Sequence, residues 1–351
     1  MPLGQVGTPE ALLTAARTNT PLRHLRVGYR GGVGTAWLKL EKHNPTGSIK
    51  YRTALGLLAG LSRREPLGPD AAIIESSSGN LGAALAEISR RAGWRFVAVV
   101  DPKAPPPLRV RLTEHGAEVV MVDTEDEHGG FLLNRLATVR RMLREDPTLR
   151  WTDQYHSPAG AEIHRTSTVP ELLGQTGGRI TAIFVALSTG GTIVGVGEGL
   201  RRHLPGLKVY AVDVDGSVAA GGTGHPHLLS GIGASRRSTL MHPSHYTRLC
   251  RVRDIDAIAM CRLFRRRTGI GLGASSGAVL CAVLRATAKG ASLGTPVVIC
   301  PDGDTSYQAT VYADEWLSRH GVLGLVRQAE RSAEADGVEF TVGAELPSGG
   351  C

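Results

Sequence analysis

The chain predicts an α/β protein of two lobes, each a twisted, mostly parallel sheet flanked by helices. From Ala71 onward, short apolar runs alternate with helical stretches, first AAIIE, FVAVV and EVVMV, then IFVA and KVYAVD. Such alternation builds parallel sheets. At 351 residues and 42% apolar, the chain is also long enough to bury more than one core.

Taken in order, Thr18-Asn19-Thr20-Pro21-Leu22 is a turn feeding an early strand. The next strand alternates, with Ala36, Leu38 and Leu40 on one side and Trp37, Lys39 and Glu41 on the other. It runs into the turn signal Asn44-Pro45, after which Gly47-Ser48 opens an apolar helical run. Lys50 therefore falls in a helix's first turn. An ammonium there opposes the positive end of the helix dipole, so the neutral amine is favoured. A neutral lysine is what Schiff-base chemistry needs. The segment alone equally describes a solvated lysine after a turn, but composition weighs against that. The chain has six lysines against thirty-four arginines, and arginine cannot give up its proton.

The strand AAIIE passes into Ser76-Ser77-Ser78-Gly79-Asn80-Leu81-Gly82 and a helix to about Arg91. The loop offers hydroxyls, an amide and a helix N-terminus, suited to a carboxylate and a ring hydroxyl, or only to a serine-rich cap. FVAVV, a Pro-rich turn, a helix to His115 and EVVMV complete a βαβαβ unit. In the second series, IFVA is followed by Ser188-Thr189-Gly190-Gly191-Thr192 and a helix to about His203. Backbone NH groups and hydroxyls there can cradle a phosphate without a metal. The Gly-Lys-Ser/Thr of an ATP loop is missing, and no EF-hand or HExxH pattern supplies a metal. GIGLGASSG, Gly269–Gly277, follows a basic, helix-like segment rather than a strand, so a dinucleotide fingerprint is disfavoured. Ser275 or Ser276 instead points a hydroxyl into the cleft at another helix N-terminus. Ligands of open α/β sheets bind at the strands' carboxyl ends, so these loops can converge on one cleft.

No stretch of eighteen apolar residues exists and the start, MPLGQVGTPEALL, has no export pattern. Five cysteines in no metal spacing read as reduced thiols, and a cytoplasmic protein is expected. The net charge of +8 is carried by dispersed arginines, which suits anionic small molecules rather than nucleic acid.

In this order and at these distances, NPTGSIK, SSSGNLG, STGGT and GASSGA resemble the pyridoxal-phosphate enzymes of the cysteine synthase and tryptophan synthase β fold, fold type II. The resemblance runs from about Asn19 to Leu317. It implies that Lys50 anchors pyridoxal 5'-phosphate and acts as general acid and base. It also implies that Asn80 bonds the ring O3′, that Ser188, Thr189, Gly190, Gly191 and Thr192 hold the phosphate, and that Ser275 faces the pyridine nitrogen. Ser77, Ser78 and Gly79, with Gln154, match the loop that closes on a substrate carboxylate. A neutral serine cannot keep the ring protonated as an aspartate would, and that suits loss of a β-leaving group. Lobe boundaries follow, with 1–43 and 153–325 as the large cofactor lobe, 44–152 as a small mobile lobe, and 326–351 as a polar, partly disordered tail.

The chain departs from ordinary cysteine synthases at Leu81, Ser188 and Tyr155, where they usually have threonine, glycine and phenylalanine. VVDPKAPP, DEHGGFLLNRLATV, WTDQY, SGIGASR, CPDGDTSY and VYADEWL are similar instead to enzymes making the 2,3-diaminopropionate precursor of siderophores and peptide antibiotics. Those join O-phospho-L-serine to L-glutamate, release phosphate, and hand N-(2-amino-2-carboxyethyl)-L-glutamate to an NAD-dependent dehydrogenase. Arg135, Tyr155, Ser188 and Arg236 would then meet the phosphoserine dianion. A homodimer is a family expectation. The alternatives are a sulfide-using cysteine synthase, an ammonia-using diaminopropionate synthase, and a non-catalytic cofactor-binding partner protein.

Overall fold

A computed structural model of the chain describes residues 8–104, 106–126, 130–289 and 293–345. Its elements run α1 (Pro9–Ala15), β1 (Leu22–Tyr29), β2 (Gly32–Leu40), α2 (Lys50–Arg64), β3 (Ala72–Ser76), α3 (Asn80–Ala92), β4 (Arg95–Val100), α4 (Pro106–Glu114), β5 (Glu118–Met121), α5 (Leu132–Glu145) and β6 (Leu149–Trp151). They continue with α6 (Ala159–Ile163), α7 (Val169–Thr176), β7 (Ala182–Ala186), α8 (Gly191–His203), β8 (Lys208–Val214), β9 (Arg248–Val252), α9 (Asp254–Thr268), α10 (Ala274–Ala288), β10 (Pro296–Cys300), α11 (Asp314–Arg319), α12 (Leu323–Ala335) and β11 (Glu339–Glu345).

Two sheets result, as the alternation predicts. The smaller has the order β5-β4-β3-β6 and is parallel throughout. Every residue of β3 is buried, because helices cover both faces of a parallel sheet. The larger has the order β11-β1-β2-β10-β7-β8-β9, parallel from β2 to β9 and antiparallel at the β1–β2 hairpin and at β11. Its two faces divide by the two-residue period of strands. Phe184 and Val212 pack with α9 and α10 on one side, Ile183, Val185 and Ala211 with α8 on the other.

Two parts of the expected lobe division are corrected. Residues 326–345 are not a disordered tail, since α12 packs on α9 and β11 pairs with β1 from Arg23 to Gly28. Val326, Val338 and Phe340 are buried, and Phe340 meets Phe264 edge-on at 5.0 Å. The stretch reads as polar because an edge strand and a surface helix each bury only one side. The first helix also packs differently, for Leu12 and Ala16 share the small lobe's core with Leu55 and Leu58 of α2.

The PSGGC end with Cys351, residues 1–7, and parts of VVDPKAPP and DEHGG lie outside the described residues. The other four cysteines are free thiols. Among the described residues no helix is long and apolar enough to cross a membrane.

Candidate active site

Lys50 is the first residue of α2, and the loop before it is tied to its surroundings on both sides. Asn44 donates to the Glu41 carbonyl and carboxylate, both at 2.7 Å, and accepts from the Thr18 hydroxyl at 2.7 Å. Gly47 turns with φ +79°, a conformation glycine adopts without steric cost. Ile49 N donates to Pro301 O at 2.7 Å, and Ser48 bridges to Asp302. Burial lowers the pKa of Lys50 to about 8, while the Glu75 carboxylate pulls it upward. That agrees in direction with the helix-dipole argument. Nζ of Lys50 has no hydrogen-bond or ion-pair partner among the described residues.

Beneath this loop lies a charged cluster that sequence reasoning missed. Arg52 is wholly buried and pairs with Glu41 at 2.9 Å and Glu171 at 2.8 Å. Lys39 is buried beside them and pairs with Glu171. The polar side of β2 thus faces inward, because each charge there has an opposite partner.

Asn80 begins α3, which packs on the smaller sheet, and donates from Nδ2 to Asp302 Oδ2, 2.7 Å away just after β10 of the larger sheet. The hydroxyl of Tyr307 donates to the same oxygen at 2.7 Å. Burial raises Asp302 to about 6, against the pull of those two bonds. Asp302 O accepts from Gly273 N at 3.1 Å, at the entrance to α10. Ser275, in that helix's first turn, is buried, and its hydroxyl has no partner among the described residues.

The Ser188–Thr192 loop leads into α8, which no side chain caps. Its first-turn NH groups are therefore open to an anion. Gly190 has φ +93°, and a Cβ there would stand 2.5 Å from Ser238 Oγ. Only glycine leaves that bend bare. Ser238 donates to Thr189 O at 2.7 Å and holds the loop in place. Thr192 meets His164 Nε2 at 3.3 Å, and Thr53 of α2 meets the same nitrogen at 3.3 Å. Burial, with the charges of Arg52 and Lys50, lowers His164 to about 3, so this link between α2 and α8 is neutral.

Residues expected at the substrate divide into two groups. Ser77 Oγ accepts from Gly82 N at 3.0 Å, and Gln154 Nε2 donates to Ser76 O at 3.1 Å. Beneath both, Glu75 accepts from Ser76 N, Trp151, Thr152 and Gln154 N, four donors on one buried carboxylate. Farther out, Arg135 donates to Ser78 Oγ at 2.6 Å, and its Nε lies 3.3 Å from Asp101 Oδ2. Ser78 in turn donates to Asp101 at 2.8 Å. The charge of Arg135 is thus half-answered within the protein. Arg236 is half-buried, with its guanidinium 5.7 Å from the centre of the Tyr155 ring. Burial raises the Tyr155 hydroxyl, and Arg135 and Arg236 both pull it down, so the three share one field. Ser188 and Gly79 are partly exposed in their loops.

Asp302, His164, Glu75 and Asp101 are the site residues the sequence did not announce. Of these, Asp302 and Asp101 had a signal, their places in CPDGDTSY and VVDPKAPP.

These groups fit pyridoxal 5'-phosphate. Among the described residues the amine and the Ser275 hydroxyl are unpartnered, the α8 entrance has no side-chain cap and needs glycine, and Asn80 keeps one N–H in reserve. The two α/β sheets and the open helix entrance between them are those of an enzyme that takes a phosphate-bearing aldehyde cofactor. Residues 13–302 match the family described as pyridoxal-phosphate dependent enzyme, and the chain belongs to that family and uses that cofactor. It is 40% identical to the N-(2-amino-2-carboxyethyl)-L-glutamate synthase of Ralstonia nicotianae over 86% of this chain and 89% of that one. It is 38% identical to the enzyme of the same name from Cupriavidus metallidurans, again over 86% and 89%. Among solved structures it is similar to O-ureido-L-serine synthase, with TM-score 0.75 and 26% identity over 88% of this chain and 98% of that one.

Proposed function

We propose that this enzyme catalyses β-replacement on O-phospho-L-serine with L-glutamate, forming N-(2-amino-2-carboxyethyl)-L-glutamate and phosphate. The substrate pair rests on one observation, the 40% and 38% identity to two synthases of that name over nearly the whole chain. The product suits 2,3-diaminopropionate biosynthesis, with an NAD-dependent dehydrogenase as the next enzyme. A homodimer in the cytoplasm is part of the same reading.

The cofactor, when bound, supplies the electron sink that acidifies the substrate's α-proton and labilises its β-substituent. Lys50 anchors it and then, as a free amine, takes and returns that proton at Nζ. A pKa near 8 leaves a usable neutral fraction at physiological pH. Asn80 bonds the ring oxygen, Ser275 meets the ring nitrogen as a neutral partner, and the Ser188–Thr192 loop holds the phosphate. Ser77, Ser78, Gly79 and Gln154 bind the substrate carboxylate. Arg135, Tyr155, Ser188 and Arg236 meet the leaving phosphate, with Asp101 keeping Arg135 in place. Residues 44–152 close over the amino acid, and α1 moves with them because it shares their core.

The test offers purified holoenzyme O-phosphoserine with glutamate, ammonia and sulfide at equal concentrations, and identifies products by mass spectrometry. A phosphate-releasing glutamate adduct is expected, absent with K50A and slowed by R135A. Cysteine or free diaminopropionate as the main product would overturn the choice of nucleophile.

A further inference from the structure

Asp302 is tied to the entrances of three site helices at once. Its backbone bridges Ser48 just before α2, its carbonyl accepts from Gly273 before α10, and its carboxylate accepts from Asn80 at the start of α3. The Ser48 and Asn80 contacts reach the 44–152 segment, and the Gly273 contact stays on the larger sheet's side of the cleft. The carboxylate is buried, and Tyr307 fixes it from behind by donating to the same Oδ2. Gly273 stands so close to Oδ1 that any side chain there would collide with it. Oδ1 itself is buried without a hydrogen-bond partner among the described residues.

An asparagine amide has two ends of opposite character, and its neighbours decide which end points where. An ionised carboxylate only accepts, so Asn80 must turn its NH2 toward Asp302. That fixes the amide plane and leaves the second N–H of Nδ2 as the group Asn80 can offer to a ligand. Without Asp302 the amide is free to rotate, and its carbonyl would meet a phenolate oxygen with like polarity.

We propose that Asp302 is a positioning residue that sets the orientation of Asn80 across the two lobes, so that Asn80 presents a hydrogen-bond donor to the ring oxygen of the cofactor. The proposal rests on the reading of Asn80 as the ring-oxygen partner. Asp302 touches neither substrate nor the reacting atoms in this role, and its effect passes through one amide.

A double-mutant cycle on the holoenzyme tests this, with cofactor dissociation constant and the visible absorption band of the lysine-bound cofactor as readouts. N80A and D302A should each weaken cofactor binding by about tenfold, the scale of one charge-assisted contact, and shift the band in the same way. The double variant should be no worse than N80A alone, because Asp302 has nothing left to orient. D302N keeps the shape of the site, should fold as the wild type does, and should show a weaker form of the same shift. Additive losses in the double variant would overturn the proposal and make Asp302 a structural residue only. An unchanged band and affinity in D302A and D302N, with N80A impaired, would overturn it while leaving Asn80 in place. An N80A protein indistinguishable from wild type would overturn both readings.

Discussion

Replacing Arg52 with methionine should destabilise the protein far more than the loss of one surface ion pair. The guanidinium donates to Glu41 at 2.9 and 3.2 Å, to Ala16 O at 2.9 Å, to Thr20 Oγ1 at 3.2 Å and to Glu171 at 3.0 Å. Methionine fills much of the same volume, so the change is mainly electrical. It leaves Glu41 wholly buried with its nearest cation gone, and breaking a buried pair in this way costs about 3–5 kcal/mol. In the wild type, Arg52 and Lys39 hold the Glu41 carboxyl below its usual range against the effect of burial. Its contribution is therefore present above the unfolded carboxylate pKa and is lost as pH falls through the lower folded value. In R52M burial is no longer answered, the Glu41 pKa rises, and the variant's deficit should shrink as the solution is acidified below roughly pH 5. Adding E41Q to R52M should also recover stability, since the stranded charge is removed. Urea unfolding of the apo and holo forms between pH 4 and 8, followed by far-UV circular dichroism, measures each quantity. A loss under about 1 kcal/mol, the range of exposed pairs, or a deficit that grows with acid would refute this account of the cluster.

Three further changes probe other parts of the structure. His164 is neutral in the fold with its pKa lowered to about 3, so the unfolded chain binds one more proton between the two values and stability falls as pH drops below about 6.5; H164Q should flatten that dependence in urea midpoints, and an unchanged slope would contradict it. G190A places a side chain at φ +93° against Ser238, a strain of about 1–3 kcal/mol; cofactor affinity should fall with it in an equilibrium titration, and wild-type affinity would argue against the loop as the phosphate cradle. F340A removes a buried ring between β11 and Phe264, and should cost about 3–5 kcal/mol in thermal or urea unfolding; a neutral result would mean that the C-terminal strand is not part of the core.

Much of the site was legible because its chemistry is local. Lys50 at a helix start, Asn80 after a serine loop and Gly190 in a glycine turn each sit where a strand hands over to a helix, and those junctions show in composition and periodicity. What escaped was contributed across long sequence distances. Glu171 meets Arg52 from 119 residues away and Asp302 meets Asn80 from 222, and periodicity carries no record of such pairs. The C-terminal segment was misread for a related reason. EFTVGAE alternates weakly and buries only one side, so its strand character depends on the β1 edge it covers.

Legible from the residues alone were the class of fold, the alternating β and α elements from Ala71 onward, a lysine at a helix start and the loops at the strand-to-helix junctions around it. Each of those follows from short-range pattern and the dipole and turn geometry it imposes. Folding in three dimensions set which charges face inward, that Arg135 is shared with Asp101 and Ser78, that Asp302 joins three helix entrances, and that the last strand pairs along the β1 edge of the large sheet. Those are consequences of burial, since a buried polar group takes whatever partner the folded chain brings within reach.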